Sequence, residues 1–419
     1  MILYGRNADY DYAIGIYQMI ELSEYCEEEF EDCINKIIKI AQEYKLSGNC
    51  FQSYIAWLII NDENPFSIDC EMKKNCGNSL KKFAESDISF LRKMFFVSAE
   101  NSEIPQEGKE LFKLLENFEI ENDGRETNLT IIGKLACDLA HKLSETSSDK
   151  EFLNTIVEFY SLCGVGKFGL NKAFRIKEHI DGDFSLIPVS VFEEVLFCDL
   201  WGYEDQKSQL IENTEFFLNG DPANNVLLYG DSGTGKSTCI KALLNEYHHK
   251  GLRIIEVYKH QFKYLAPLLN MLKNRNYFFI IYMDDLSFED FEIEYKYLKA
   301  VIEGGMETNP DNVLIYATSN RKHLIKETWK DRADYDEDMH HSDTMQEKLS
   351  LSDRFGVAIN FTKPVQKEYF EIVAHLAKKY KLDIPEKELI DTARAWGVQH
   401  GGYSGRVAKQ LIKKLTVKE

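Results

Sequence analysis

Along the first part of the chain, apolar side chains recur at helical spacing. The quartets Ile34, Ile37, Ile38, Ala41, then Leu111, Leu114, Leu115, Phe118, then Ile132, Leu135, Ala136, Leu139, then Leu153, Ile156, Val157, Tyr160 each follow i, i+3, i+4, i+7. Each predicts a helix with one buried face. No fixed period links them, so a solenoid is not supported. Asp181-Gly182-Asp183 and Pro188 interrupt the pattern, and a junction is expected near residues 180–195. Beyond it the pattern changes. Val226 to Tyr229, Leu252 to Val257, Tyr277 to Met283 and Val313 to Ala317 are short continuous apolar runs, as strands of a buried parallel sheet require. Helical stripes follow the first run at Ile240, Leu243, Leu244, Tyr247, and close the chain at Tyr369, Ile372, Val373, Leu376. The expected organisation is a helical domain over 1–185, an α/β domain over 186–362 and a small helical domain over 363–419.

The turn after the first apolar run carries chemistry. Gly230 to Ser237 reads GDSGTGKS, a complete GxxxxGK[ST] loop between a strand and a helix. In that context successive backbone N–H groups point at the phosphates of a nucleotide, at the positive end of the following helix. Gly230, Asp231, Ser232, Gly233, Thr234, Gly235, Lys236, Ser237 and Thr238 are therefore the candidate nucleotide-binding run. Lys236 would bring a point charge to the β- and γ-phosphates, and Ser237 a hydroxyl to Mg²⁺. The run Tyr277 to Met283 ends in Asp284-Asp285, and Val313 to Ala317 ends in Thr318-Ser319-Asn320. Carboxylates at the carboxyl end of a buried parallel strand are placed to hold a metal and a water. Asp284 is the candidate Mg²⁺ ligand, Asp285 the group that orients and deprotonates water, and Asn320 the amide that holds the same water from the other side. Gly164 to Lys167 reads GVGK but lacks the first glycine at the right spacing and a hydroxyl after the lysine.

Composition narrows the classes. With 419 residues, two or three domains are expected, and 44% hydrophobic content with 26 Phe and 22 Tyr argues for packed structure. No leader pattern opens the chain and no stretch is long and apolar enough to span a bilayer, so a cytoplasmic protein without membrane contact is expected. Nine scattered cysteines with no CxxC pair indicate neither a disulfide framework nor a zinc site. The net charge of −19 argues against a surface that wraps nucleic acid. Residues 1–190 carry 33 acidic against 20 basic side chains, which makes the helical part the worst candidate for it. The polar stretch 330–347 contains His340 and His341 among carboxylates, in no ligand spacing, and reads as a solvated loop.

The phosphate loop at 230–237, the strand ending in Asp284-Asp285, Asn320, the box Ser352-Asp353-Arg354-Phe355-Gly356 and the late Ser404-Gly405-Arg406 together resemble an AAA+ ATPase. More narrowly, LWGYEDQK at 200–207, PANNVLLYG at 222–230, DDLSFE at 284–289, YATSNRKHL at 316–324 and EKLSLSDRFG at 347–356 resemble the bacterial AAA+ family catalogued as domain of unknown function 815. The similarity covers roughly 190–419, and weakly Gly166 to Ile176. It implies an AAA+ P-loop core of parallel strands flanked by helices, a C-terminal helical lid and an all-α amino-terminal domain. It further implies that Arg354 is a finger inserted into a neighbour's nucleotide site and that Arg406 is the sensor arginine of the lid. Leu200 to Tyr203, with Trp201 and Tyr203, would pass beside the adenine. The implied cofactors are ATP and Mg²⁺, and the implied assembly is a head-to-tail homo-oligomer.

Two departures bear on activity. AAA+ proteins commonly end this strand in Asp-Glu, and a side chain one methylene shorter implies slower hydrolysis. Threading unfoldases carry an aromatic–hydrophobic–glycine loop after the second strand, whereas Glu256 to Tyr277 contains no glycine. The reading is thus a Mg²⁺-dependent ATPase that remodels or loads a partner, a protein held by the amino-terminal region. An ATP-gated scaffold with slow or no hydrolysis is the alternative, and a DNA-associated loader a further one.

Overall fold

The computed structural model describes residues 1–5, 7–22, 25–73, 77–120, 128–189, 193–289, 292–303, 310–324 and 351–416, so the stretch with His340 and His341 lies outside them. The chain divides into two compact units, Met1–Asn171 and Lys172–Glu419.

The first unit is helical throughout its described residues: α1 (Asp9–Glu21), α2 (Glu27–Tyr44), α3 (Cys50–Asn61), α4 (Pro65–Lys73), α5 (Asn78–Phe95), α6 (Gln106–Glu116), α7 (Asn128–Ser144), α8 (Asp149–Cys163) and the single turn α9 (Gly166–Leu170). Helix α3 is apolar almost all round and buried from Cys50 to Ile60 except at Gln52, so it forms the centre that the others cover. Asn49 starts it by accepting from the Gln52 N–H at 3.0 Å. Helix α7 crosses α2 in backbone contact at Gly133, where a Cβ would stand 1.7 Å from the Tyr44 carbonyl oxygen. Three of the four expected helical faces are the buried ones. On α6 the face is rotated: Gly108, Phe112 and Leu115 are buried while Leu114 is 67% exposed. Phe118 lies beyond that helix, in a short bridge to Gly48. An apolar residue on each side of a helix made the wrong quartet as regular as the right one.

The second unit contains β1 (Ala173–Glu178), β2 (Phe184–Pro188), α10 (Glu204–Asn219), β3 (Val226–Gly230), α11 (Lys236–Tyr247), β4 (Leu252–Glu256), α12 (Leu265–Leu272), β5 (Phe278–Met283), α13 (Glu294–Glu303), β6 (Val313–Ser319), β7 (Val357–Phe361), α14 (Gln366–Lys379), α15 (Glu386–Gln399) and α16 (Gly405–Thr416). The strand order is β2-β1-β4-β5-β6-β3-β7, parallel except for the β1–β2 hairpin. The expected junction near 185 therefore falls inside the sheet, and the chain divides after Asn171 instead. Strand β1 pairs with β4, Ala173 opposite Ile254, which ties residues 173–188 to the α/β unit. Its sequence, AFRIKE, mixes exposed charge with apolar residues and does not announce a strand. Helices α14, α15 and α16 share a separate small core built on Tyr369, Val373, Leu389, Ala393, Ala408 and Ile412. Because β5, β6 and β3 are parallel neighbours, their carboxyl ends meet at one edge of the sheet.

Candidate functional site

Strand β3 is buried over Val226 to Leu228 and delivers the chain to Gly230, whose φ of +124° suits glycine. A Cβ there would lie 2.2 Å from the Phe361 carbonyl oxygen on β7, so the close strand contact excludes a side chain. Gly233, at φ +78°, faces the lid: a Cβ would meet the Arg406 Cβ at 3.0 Å. The loop ends at Gly235, and α11 begins at Lys236, with its unpaired N–H groups facing the cleft.

The lysine is folded back into its own loop. Lys236 Nζ donates to the Gly230 and Asp231 carbonyl oxygens, each at 2.8 Å, and reaches Asn320 Oδ1 at 3.5 Å. Burial holds its pKa below the ordinary lysine value. Thr234 closes the turn through its hydroxyl to the Asp231 carbonyl, and the Asp231 carboxylate accepts from the Lys363 N–H at 2.8 Å.

At the end of β5 the two carboxylates part. Asp284 Oδ1 accepts from Ser237 Oγ at 2.9 Å and from Thr318 Oγ1 at 2.6 Å. Partial burial opposes its ionisation, but the Thr318, Tyr282 and Ser237 hydroxyls around it outweigh that and hold its pKa below the usual aspartate value. Asp285 turns away in the left-handed region, φ +49°, its N–H donating to Thr318 Oγ1 at 2.9 Å. Its Oδ1 accepts from Asn320 Nδ2 at 2.7 Å. Aspartate tolerates this backbone region better than a longer side chain does, which gives a local reason for Asp rather than Glu here.

The lid reaches the loop through Arg406, at the start of α16. Its N–H donates to the Gly233 carbonyl at 3.1 Å and its Nη1 approaches Ser232 Oγ at 3.5 Å. Trp201 stacks on His375 of α14, ring centroids 5.2 Å apart at 28°. Tyr203 donates to the Thr362 carbonyl at 2.8 Å, and burial pushes its pKa up to about 12. A cleft of about 830 Å³ is lined by Ser232 to Thr238, Trp201, Tyr203, Asp284, Asp285, Asn320 and Arg406. Arg354 does not line it; its guanidinium pairs with Glu303 of α13.

Three contributors escaped the sequence reading. Thr318 serves both aspartates at once, the Asp284 carboxylate and the Asp285 N–H; its place beside Asn320 at a strand end was the available signal. Glu193 joins Lys241 of α11 at 3.0 Å to Lys409 of α16 at 2.8 Å, and those two cations, Lys409 first, push its pKa down to about 2. Lys207, 7% exposed, donates to the Leu200 carbonyl at 2.8 Å and fixes the segment before α10. Nothing local marks either charge.

Residues 170–419 match the family described as "Protein of unknown function (DUF815)". The chain belongs to the DUF815 family. The resemblance read from the strings at 200–207 through 347–356 thus holds, over a slightly longer span. The DUF815 chain is also similar to the 26S proteasome regulatory subunit 7 homolog of Saccharomyces cerevisiae, 28% identical over 137 residues, which are 30% of this chain and 27% of that protein. It therefore spans about a quarter of the length of the curated relative it matches. Among solved structures it is similar to a Thermotoga maritima RuvB mutant, with 16% identity, TM-score 0.36, 52% of this chain and 69% of that chain covered. The Thermotoga maritima RuvB Holliday junction branch migration motor gives 15%, 0.31, 51% and 70%. At those scores neither structural likeness bears on function. The parallel sheet, phosphate loop, strand-end acids and helical lid constitute an AAA+ α/β fold, preceded by a helical unit. Among the described residues no helix is long and apolar enough to cross a membrane.

Proposed function

We propose that this DUF815 chain is a Mg²⁺-dependent ATP hydrolase that works as a head-to-tail oligomer and uses its nucleotide state to remodel or load a protein partner held by the helical unit. The observation that carries the reading is the meeting of Lys236, the Ser237–Asp284 pair and the Asp285–Asn320 pair at the adjoining ends of β3, β5 and β6. Lys236 exchanges its two carbonyl acceptors for phosphate oxygens, which carry full charge and bind it more strongly. The metal fits on this donor set, because a serine hydroxyl and a carboxylate already in contact are the hard oxygens Mg²⁺ takes beside phosphate. Bound there, Mg²⁺ neutralises charge on the β- and γ-phosphates.

The remaining roles follow from position. Asp285, aimed by Asn320, accepts the proton of the attacking water. Asn320 fixes that water's direction. Arg406 swings from Ser232 to the γ-phosphate, and Trp201 with Tyr203 borders the base. Arg354, outside its own cleft, serves the site of the next subunit once Glu303 releases it. That same ion pair favours the second reading, an ATP-gated scaffold whose turnover is slow, since a finger held by its own chain leaves isolated sites incomplete. Steady-state ATPase activity against protein concentration tests the proposal. A rate per subunit that climbs with concentration supports composite sites; a flat, near-zero rate refutes hydrolysis in favour of the scaffold.

A further inference from the structure

Residues 193–197 are fastened to α11 through their backbone. Asn245 Nδ2 donates to the Glu193 and Val195 carbonyl oxygens at 3.0 and 2.9 Å, and the Phe197 N–H donates to the Glu246 carboxylate at 2.7 Å. The Glu193 side chain is not needed for that attachment and is directed elsewhere. One of its carboxylate oxygens meets Lys241 of α11 at 3.0 Å, and the other meets Lys409 of α16 at 2.8 Å. All three residues line the cleft. Lys409 stands one helical turn after Arg406, on the same side of α16. The anion therefore ties the helix that follows the phosphate loop to the helix that carries the lid arginine. Arg406, bonded through its N–H to the Gly233 carbonyl, is near enough to Lys236 to add to the lowering of its pKa that burial begins. Like charges gathered at one loop repel, and a carboxylate between two cations of the same cleft offsets part of that repulsion.

We infer that Glu193 is a positioning residue of the nucleotide cleft: through Lys409 it holds Arg406 on the phosphate loop, and so slows the departure of bound nucleotide. The cleft is lined by core and lid together, and nucleotide leaves such a site when the lid lifts. Lifting α16 separates Glu193 from Lys409, whereas the contact with Lys241 lies wholly on the core side and survives. The two ion pairs are thus not equivalent. The first resists opening, and the second aims the carboxylate. Both are about half exposed, so water and salt weaken them. The inference rests on the nucleotide reading of the cleft.

The test follows release of a fluorescent ADP from the full chain after mixing with excess unlabelled ADP. Glu193→Gln should release it about two- to fivefold faster than wild type, the effect of one half-exposed ion pair. The sign is what discriminates, because removing a negative charge from a cleft that holds an anion should by simple attraction slow release. Lys409→Met should also release faster, and adding it to Glu193→Gln should change nothing further, since both remove the same contact. Lys241→Met should have the smaller effect. A carboxylate that merely braced residues 193–197 on α11 would give the reverse order, with Lys241→Met matching Glu193→Gln and Lys409→Met releasing at the wild-type rate. That order overturns the inference, as does slower or unchanged release from Glu193→Gln, and in either case the cleft's assignment stands. Failure of wild type to bind ADP at all removes the reading of the cleft and the inference with it.

Discussion

Thr318→Val isolates one oxygen at the centre of the site. The two side chains have nearly the same shape, and Thr318 is 2% exposed, so the substitution leaves packing in place and removes only the hydroxyl. That hydroxyl donates to Asp284 at 2.6 Å and accepts from the Asp285 N–H at 2.9 Å. A hydrogen bond to a charged group contributes about 1.5–3 kcal/mol, and an abandoned buried donor costs about 1–3 kcal/mol. Asp284 and Asp285 both line the cleft, where water replaces part of each loss, so the net destabilisation is about 2 kcal/mol. For a unit of this size that lowers the melting temperature by about 4–8 °C. The substitution also changes the pH response in a defined direction. Asp284 has a depressed pKa in the folded chain, so its hydrogen bonds stabilise the fold above the unfolded aspartate value and that gain is lost as pH falls through the folded value. Removing the Thr318 hydroxyl should flatten this acid limb, below about pH 4. Thermal melts from pH 7 to pH 3 measure both effects. A variant that melts within 1 °C or so of wild type and keeps the full acid limb would show that Thr318 orients neither acid.

Three further outcomes are expected. Lys236→Ala should abolish the nucleotide-dependent melting shift, which at about 100 times the dissociation constant amounts to roughly 2.7 kcal/mol in wild type; a shift that survives contradicts the phosphate-loop role. Asp285→Asn should retain nucleotide binding and lose turnover, whereas Asp284→Asn should weaken the Mg²⁺ dependence of binding; single-turnover assays and Mg²⁺ titrations separate the two. Arg354→Ala should bind ATP normally and lose most hydrolysis, and mixing it with Lys236→Ala should restore part of the rate, because the second variant lends an intact finger to the sound cleft of the first. If the two variants co-assemble and the mixture stays inactive, Arg354 does not act across a subunit boundary.

What the sequence disclosed was whatever short spacing determines. The phosphate loop lies in one run of eight residues, 230–237, and four apolar runs marked β3, β4, β5 and β6 within a residue or two of their ends. The stripe Tyr369, Ile372, Val373, Leu376 likewise became the buried face of α14. Partnerships across long stretches of chain stayed hidden. Strand β1 carries exposed charge and β7 alternates exposed with buried residues; each is defined by its neighbour, β4 for one and β3 for the other. The double service of Thr318 depends on β5 and β6 lying in register, Met283 opposite Ala317. Glu193 acquires meaning only where two helices bring lysines to it. The rotated face of α6 shows the limit even of periodicity, since Leu114 and Phe112 satisfy it equally well until a neighbour chooses between them.

The hairpin of β1 and β2 sets an order of events during synthesis. It is a local structure, and its strands can meet as soon as they leave the ribosome, after the helical unit that precedes them is complete. Its place in the sheet is not local: Ala173 has to wait for Ile254, with the whole phosphate loop and α11 made in between. Until β4 arrives, one edge of β1 stands open, and open edges pair with whatever strand is offered. The phosphate loop is thus born inside a long crossover whose closure only begins the sheet, and until β6 and β7 are made nucleotide would meet a loop held by a single strand. A nascent chain halted just past α11 is, on this view, the species most in need of a chaperone.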